Sequence, residues 1–142
     1  MEETTATKFR NLLNKYPQYP SYAYDFIYGA LSYTNKNIRD PYKKSRHVTA
    51  EELLEGIRKY ALEKFGCLTE IVLDHWNVRS TRDIGNIVFH LVEYDLMGKQ
   101  EGERIEDFDD VYRFEDVFNV TPNFEYNKET DEWTVNYVPA KH

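Results

Sequence analysis

The chain has 142 residues, a formal net charge of −7, 41% hydrophobic residues and one cysteine. This length fits one domain with a core of its own, and the hydrophobic content excludes a disordered chain. A single cysteine excludes an intramolecular disulfide, and no apolar run approaches the roughly 20 residues that a membrane-spanning helix needs.

Two helices are predicted before residue 34. The first has apolar residues at helical spacing and is stopped by two prolines; these residues are Phe9, Leu12, Leu13, Tyr16, Pro17 and Pro20. The second covers residues 21–33, where Ser21 can cap the start and Phe26, Ile27 and Leu31 define one face.

Residues 34–48 are predicted to form a polar linker, since Pro41 argues against a helix through them. The linker holds one cluster of basic side chains, namely Lys36, Arg39, Lys43, Lys44 and Arg46. The clearest helix follows at residues 50–65, where Thr49 and Glu52 form a capping box and Gly66 provides a left-handed stop.

A pair of helices comes next. A short helix over residues 67–76 presents Leu68, Ile71, Val72 and Trp76 on one face. After a turn, a strong apolar repeat predicts a helix over residues 81–97. Ser80 and Asp83 favour its start, and Gly98 favours its end.

The last third of the chain changes character. Residues 99–110 are too acidic and too poor in apolar groups to pack, which predicts an exposed loop. In residues 111–120, strand and short helix remain alternatives. Residues 123–126 and 132–138 alternate apolar and polar side chains around a five-residue turn, which predicts a β-hairpin.

These elements predict an α+β fold that is mainly α, with four to five packed helices and a small C-terminal β-hairpin. One domain covers residues 1–142, with a helical part over 8–98, an acidic loop over 99–110 and a β-containing part over 111–138. The hairpin is expected to cover one side of a helical core. The expected core residues are Phe26, Ile27, Leu31, Leu53, Ile57, Ala61, Ile71, Val72, Ile84, Ile87, Val88 and Leu91.

Catalytic motifs are mostly missing from the sequence, which has no GxxxxGK[ST], GxGxxG, HExxH or CxxC pattern. His90 and Glu93 share a helix face and could bind a metal or relay a proton, but the sequence nominates no further ligands. Cys67 is expected to be a small buried residue. We therefore predict a non-enzymatic protein without catalytic, cofactor-binding or metal-binding residues.

The helices over 67–76 and 81–97, joined by a short turn, resemble a helix-turn-helix, in which the second helix presents its first residues to DNA. The candidate nucleic-acid contacts are Arg79, Ser80, Thr81, Arg82 and Asn86. The basic residues of 36–46 could add phosphate contacts, and the hairpin could act as a wing. The hairpin is acidic, however, and would repel phosphates.

Three blocks of sequence resemble a known family. They are RHVTAEELLEGIRKYALEKFG at residues 46–66, WNVRSTRDIGNIVFHLVEYDLMGK at 76–99 and EDFDDVYRFEDVF at 106–118. In this order they resemble the small uncharacterised Verruc_Plancto-restricted proteins, over residues 20–118. The resemblance implies no activity, cofactor or catalytic residue.

Charge distribution favours a protein partner. Residues 1–92 carry 13 basic and 11 acidic side chains, whereas residues 93–142 carry five basic and 14 acidic ones together with several aromatic residues. The leading hypothesis is a protein–protein interaction domain, and the alternative is a winged-helix-like nucleic-acid-binding regulator. Because the N-terminus lacks the basic and apolar parts of a secretory signal, we expect a soluble cytoplasmic protein that binds no membrane.

Overall fold

A computed structural model describes residues 3–42, 47–98 and 103–140. Its helices are α1 (Thr5–Lys15), α2 (Ser21–Asn37), α3 (Ala50–Phe65), α4 (Thr69–His75), α5 (Thr81–Glu93) and the single turn α6 (Phe114–Val117). Short 3-10 turns cover Gly66–Leu68 and Ile105–Phe108, and the strands are β1 (Val120–Asn127) and β2 (Glu132–Pro139). The mainly α fold with a C-terminal hairpin is confirmed.

The core lies where α2 packs against α3 and α5. Each helix contributes an apolar stripe at three- and four-residue spacing, which is how an amphipathic helix buries one face. The buried side chains at this junction include Ala23, Tyr24, Ile27, Leu53, Leu54, Ile57, Ile84, Ile87 and Leu91. Most of the expected core is therefore confirmed, although Leu31 is only partly buried.

The contact between α2 and α3 is closest at Gly56. A Cβ atom at this position would lie 1.8 Å from the Oγ1 of Thr34, which itself donates to the carbonyl of Ala30 at 2.7 Å. Since no real side chain tolerates that distance, the absence of a side chain at Gly56 lets the two helices approach this closely.

The start of α3 has the predicted capping box. The Thr49 hydroxyl accepts from the backbone N–H of Glu52 at 3.1 Å, and the Glu52 carboxylate accepts from the backbone N–H of Thr49 at 3.0 Å. The predicted cap of α2 is wrong, because Pro20 occupies the N-cap and Ser21 is the first helical residue. Helix α2 also continues to Asn37, four residues beyond the predicted end.

The predicted buried face of α4 is confirmed only at Trp76, which packs against the core. Leu68 and Ile71 are exposed and Val72 is half-buried, whereas Thr69 and Leu73 are buried. The 3-10 turn ahead of α4 has about three residues per turn instead of 3.6, so it shifts which side chains face the core. Cys67 lies on this turn and is exposed, which also corrects the expectation that it is buried.

Helix α5 ends at Glu93, earlier than predicted. Asp95 has φ of 57°, and the backbone N–H of Leu96 donates to the carbonyl of Leu91 at 2.8 Å. Because Asp95 takes the left-handed conformation that ends many helices, Gly98 is not the stop. The chain turns back soon enough for Met97 to be buried.

Part of the predicted acidic loop packs onto the helices. The 3-10 turn Ile105–Phe108 contacts α3 and α5, and Phe108 is buried. A Cβ at Gly85 would lie 2.7 Å from the Phe108 side chain, so this glycine makes room for the ring. The expectation of a loop too polar to pack is therefore wrong for residues 105–108, while residues 99–102 lie outside the described part.

The segment before the hairpin resolves the alternative between strand and helix. Phe114–Val117 forms one helical turn, and Phe114 and Phe118 are buried with ring centroids 5.3 Å apart. The Tyr112 hydroxyl donates to the carbonyl of Leu54 at 2.7 Å. This aromatic cluster joins the chain ahead of β1 to α3.

The predicted hairpin is confirmed. Strands β1 and β2 are antiparallel, and the register pairs Val120 with Pro139 at the base and Asn127 with Glu132 beside the turn. Among the described helices, none combines the length and apolar composition that crossing a bilayer requires.

Candidate functional site

The helix-turn-helix-like pair corresponds to α4 and α5. Ser80 is the N-cap of α5, with its hydroxyl 3.4 Å from the backbone nitrogen of Asp83. Thr81 is buried, and its hydroxyl accepts from the backbone N–H of Val111 at 3.3 Å. Both hydroxyls therefore serve the local fold.

Asn86 also contacts other parts of the chain. Its side-chain amide donates to the Tyr19 hydroxyl at 3.1 Å, and that hydroxyl donates to the Asp83 carboxylate at 2.5 Å. Burial raises the pKa of Tyr19, so its hydroxyl stays protonated at neutral pH. Asn86 thus belongs to a polar network between α5 and the segment that joins α1 to α2.

The two arginines at this end are exposed but paired with carboxylates. Arg79 Nε donates to Asp74 at 2.7 Å, and its Nη1 donates to the Asn77 side chain at 2.7 Å. Arg82 Nη1 lies 2.8 and 2.9 Å from the two carboxylate oxygens of Asp109. Exposed pairs of this kind are weak because water screens them, so another anion can compete for either arginine.

The basic stretch of residues 36–46 is only partly described. Lys36 is exposed and Arg39 is half-buried, whereas Lys43, Lys44 and Arg46 lie outside the described residues. A contribution of this stretch to phosphate contacts stays a prediction.

His90 and Glu93 share a face of α5, and both contact Tyr16. The His90 ring stacks on the Tyr16 ring at 3.6 Å between centroids, and its Nδ1 is 2.8 Å from the Tyr24 hydroxyl. Burial lowers the pKa of His90, which favours the neutral ring. Glu93 accepts from the Tyr16 hydroxyl at 3.1 Å and from Lys15 Nζ at 3.3 Å, and these bonds hold its pKa below the usual range.

These contacts link α5 to the end of α1, and they occupy the side chains of both His90 and Glu93 with partners inside the fold. Over residues 3–42, 47–98 and 103–140, no three His, Cys, Asp or Glu side chains lie close enough together to hold a metal ion. The arrangement of His90 and Glu93 is that of a half-buried hydrogen-bonded cluster.

One face of the hairpin is apolar and exposed. Phe124 lies opposite Val135 and Tyr126 lies opposite Trp133, and these four side chains are 63%, 44%, 43% and 69% exposed. The Tyr126 and Trp133 rings contact one another with centroids 5.2 Å apart. We call these four residues the hairpin face. Contiguous exposed apolar side chains are typical of an interaction surface.

The base of the hairpin is fixed to the helical part. Tyr137 packs against Gly66, where a Cβ would lie 2.5 Å from the Tyr137 hydroxyl oxygen. Strand β1 also contacts the 3-10 turn Gly66–Leu68. The hairpin therefore has a defined attachment, while the hairpin face remains open to solvent.

The rest of the hairpin is acidic. Its exposed charged side chains are Glu125, Glu129, Asp131, Glu132 and Lys128. Lys128, Glu129 and Asp131 lie in the turn at one end of the hairpin face. Glu125 and Glu132 alternate to the opposite face of the two strands. The hairpin as a whole therefore has a negative net charge.

The hairpin face could be identified from the sequence, because apolar and polar residues alternate in both strands. We expected the hairpin to cover one side of the helical core, but it packs on the helical part only at its base, where Tyr137 lies against the buried Gly66. Alternation shows that a strand has two different faces, but it does not show what covers the apolar one.

Comparisons with family models, curated proteins and solved structures gave no match to this chain. The resemblance to Verruc_Plancto-restricted proteins therefore stays a prediction. The function has to be argued from the geometry of the chain itself.

Proposed function

We propose that this chain is a non-enzymatic protein-binding domain whose contact surface is the hairpin face. The observation that supports this proposal is the exposure of Phe124, Tyr126, Trp133 and Val135 on one side of a hairpin that is anchored at its base. Aromatic residues are enriched at protein interfaces because they bury a large area at a small entropic cost.

The charge around the face favours a particular kind of partner. Glu129 and Asp131 lie in the turn at one end of the hairpin face, so a partner surface with an apolar centre and a basic flank would be complementary. Two copies packed face to face would bring their acidic groups together, which disfavours self-association. The proposed occupant is therefore a different protein with a basic-flanked apolar patch.

Site-specific photo-crosslinking in native lysate tests this proposal. Benzoylphenylalanine is placed at Trp133 and, as a matched control, at Tyr22, because both side chains are 69% exposed. Position 133 should give a discrete heterologous adduct that Phe124→Ser weakens. High salt should also weaken it, because it screens the acidic groups.

The control position decides how the result is interpreted. If positions 22 and 133 give equal adducts, or if position 133 gives none, the hairpin face is not the surface that binds the partner. An adduct at 133 that contains only a second copy of this chain contradicts the choice of partner. Mass spectrometry of the adduct distinguishes these results.

Nucleic-acid binding is a second proposal, supported by the exposure of Arg79 and Arg82 at one end of α5. A fluorescence-anisotropy titration with duplex DNA should then show salt-sensitive binding. The double variant Arg79→Glu with Arg82→Glu should abolish it, whereas Arg10→Glu with Lys64→Glu makes the same charge change on other exposed positions. Equal binding by both double variants removes this proposal.

A further inference from the structure

A cavity of about 330 Å³ lies between α3, α5 and the segment after α5. Its walls are mainly apolar and include Leu53, Val88, Phe89, Val92, Met97 and Phe108. This volume falls within the range of small-molecule sites, about 300 to 1,000 Å³. No hairpin residue lines the cavity, so it is separate from the surface proposed to bind a protein.

Glu103 supplies a carboxylate to this cavity. Its Oε1 accepts from the backbone N–H of Ala50 at 3.1 Å. Its Oε2 is buried, and no hydrogen-bond donor reaches it from the residues that the structure describes. A buried oxygen without a donor is unfavourable, so a donor supplied from outside would be bound favourably.

Ala50 is the first residue of α3, so the carboxylate lies at the positive end of the helix dipole. Three other described residues with polar groups line the cavity, namely the half-buried His90, Tyr16 and Glu93. Among the described lining residues, the charged carboxylates belong to Glu103 and to Glu93, and Glu93 pairs with Lys15.

We propose that the cavity binds a small organic cation, a primary amine on a compact apolar group, whose ammonium donates to Glu103 Oε2. The apolar part lies against Val88, Val92 and Met97. An amine on a short apolar chain fits both the carboxylate of Glu103 and the apolar wall. A carboxylate ligand would instead be repelled by Glu103 and Glu93. An alcohol can donate one hydrogen bond but carries no charge.

The test compares three probes of the same shape: 2-phenylethylamine, 2-phenylethanol and phenylacetate. Binding is followed through the ¹³C-methyl signal of Met97, assigned with the variant Met97→Leu. The amine should give a saturable shift with at least about tenfold higher affinity than the alcohol, the ratio expected for one charge-assisted bond. Phenylacetate should give no saturable shift.

Two variants separate the carboxylate from the cavity. Glu103→Gln can still accept from Ala50, and it should lower amine affinity about tenfold while leaving the alcohol unchanged. Glu106→Gln alters an exposed carboxylate of the neighbouring turn and should leave both affinities unchanged. Val92→Phe should fill the cavity and remove binding of both probes.

Equal affinities for amine and alcohol would overturn the proposal. An amine titration without saturation would also overturn it, because it would mean that water and not an amine donates to Oε2. An amine-to-alcohol ratio that survives Glu103→Gln would also overturn it. None of these results depends on the hairpin, so they neither support nor contradict the proposal that the hairpin face binds a protein.

Discussion

In the helical body, which comprises α1 to α5, Tyr24 and Leu54 are fully buried, whereas Trp133 and Phe124 on the hairpin are mostly exposed. Both regions repeat apolar side chains along one face, every three to four residues in the helices and every second residue in the strands. In the helical body, however, the apolar stripe of each helix meets another helix. An apolar face therefore stabilises the fold where another element of the chain covers it. Where no element covers it, as on the hairpin, it is available for binding a partner.

The two regions should also differ in local stability. A two-stranded hairpin without a packed face is only marginally stable in water, and the hairpin here is tied to the helical part near Gly66. Regions with few buried contacts open with lower free energy than the core. Substitutions in the two regions should therefore have effects of very different size.

The largest effect is expected in the helical body at Gly56→Ala. The added Cβ would lie 1.8 Å from Thr34 Oγ1, so α2 and α3 must move apart, and the free energy of unfolding should fall by about 3 kcal/mol. Chemical denaturation measures this loss. Gly98→Ala is the control, because no heavy atom lies within 4 Å of a Cβ there, and a similar loss in both variants would contradict the close contact.

A smaller effect is expected where the two regions meet, at Gly66→Ala. Gly66 has φ of 55°, and a Cβ would lie 2.5 Å from the Tyr137 hydroxyl oxygen, so the variant adds backbone strain and displaces the hairpin. The expected cost is about 2 kcal/mol. Hydrogen exchange should show faster exchange in β1 and β2 than in α2. A uniform increase over the whole chain would argue against an attachment at this point.

A third effect concerns pH and the His90 cluster in the helical body. Burial lowers the pKa of His90 below its ordinary value of 6.5, so the unfolded chain takes up a proton at higher pH than the folded chain. Stability from this residue is fully present above about pH 6.5 and is lost as the pH falls towards the folded-state pKa.

Unfolding free energies at about pH 7 and about pH 5.5 measure this effect, since a histidine of the unfolded chain takes up its proton in that range while most carboxylates do not. The loss of stability between the two values should be smaller in His90→Gln than in the wild type. His75→Gln replaces an exposed histidine and should retain the wild-type loss. Equal losses in all three proteins would show that His90 does not contribute.

The smallest effect on stability is expected on the hairpin face. Phe124→Ser with Trp133→Ser removes two large side chains that are mostly exposed, so the free energy of unfolding of the helical body should change by less than about 0.5 kcal/mol. Thermal unfolding followed by the helical circular-dichroism signal measures this. A loss of more than about 2 kcal/mol, comparable to the loss of a buried side chain, would mean that the hairpin face packs on the helices.

Helices with both a cap signal and a long apolar repeat were predictable from sequence. Thr49, Glu52 and Gly66 delimit α3 because each contributes local chemistry that requires no knowledge of distant residues. The end of α5 was not predictable in this way. Both Asp95 and Gly98 can follow a helix, and the left-handed conformation of Asp95 depends on how the chain returns to bury Met97.

Features that depend on distant contacts were missed. Phe108 lies in a strongly acidic stretch, and its burial depends on the space left by Gly85, which is far away in sequence. The position of the Glu103 carboxylate in the cavity was missed for the same reason, because it depends on a contact with Ala50, which is distant in sequence. For the hairpin, alternation identified the two faces, but only the structure shows that the apolar one is open.

The attachment of the hairpin has a consequence for folding kinetics. Its pairs are local in sequence, from Asn127 with Glu132 to Val120 with Pro139, whereas the helical body needs contacts as distant as Tyr19 with Asp83. Hairpins form within about 1–10 μs, and rates fall as contacting residues become more distant in sequence. The helical body should therefore set the folding rate, and the hairpin face can change its residues during evolution without slowing folding.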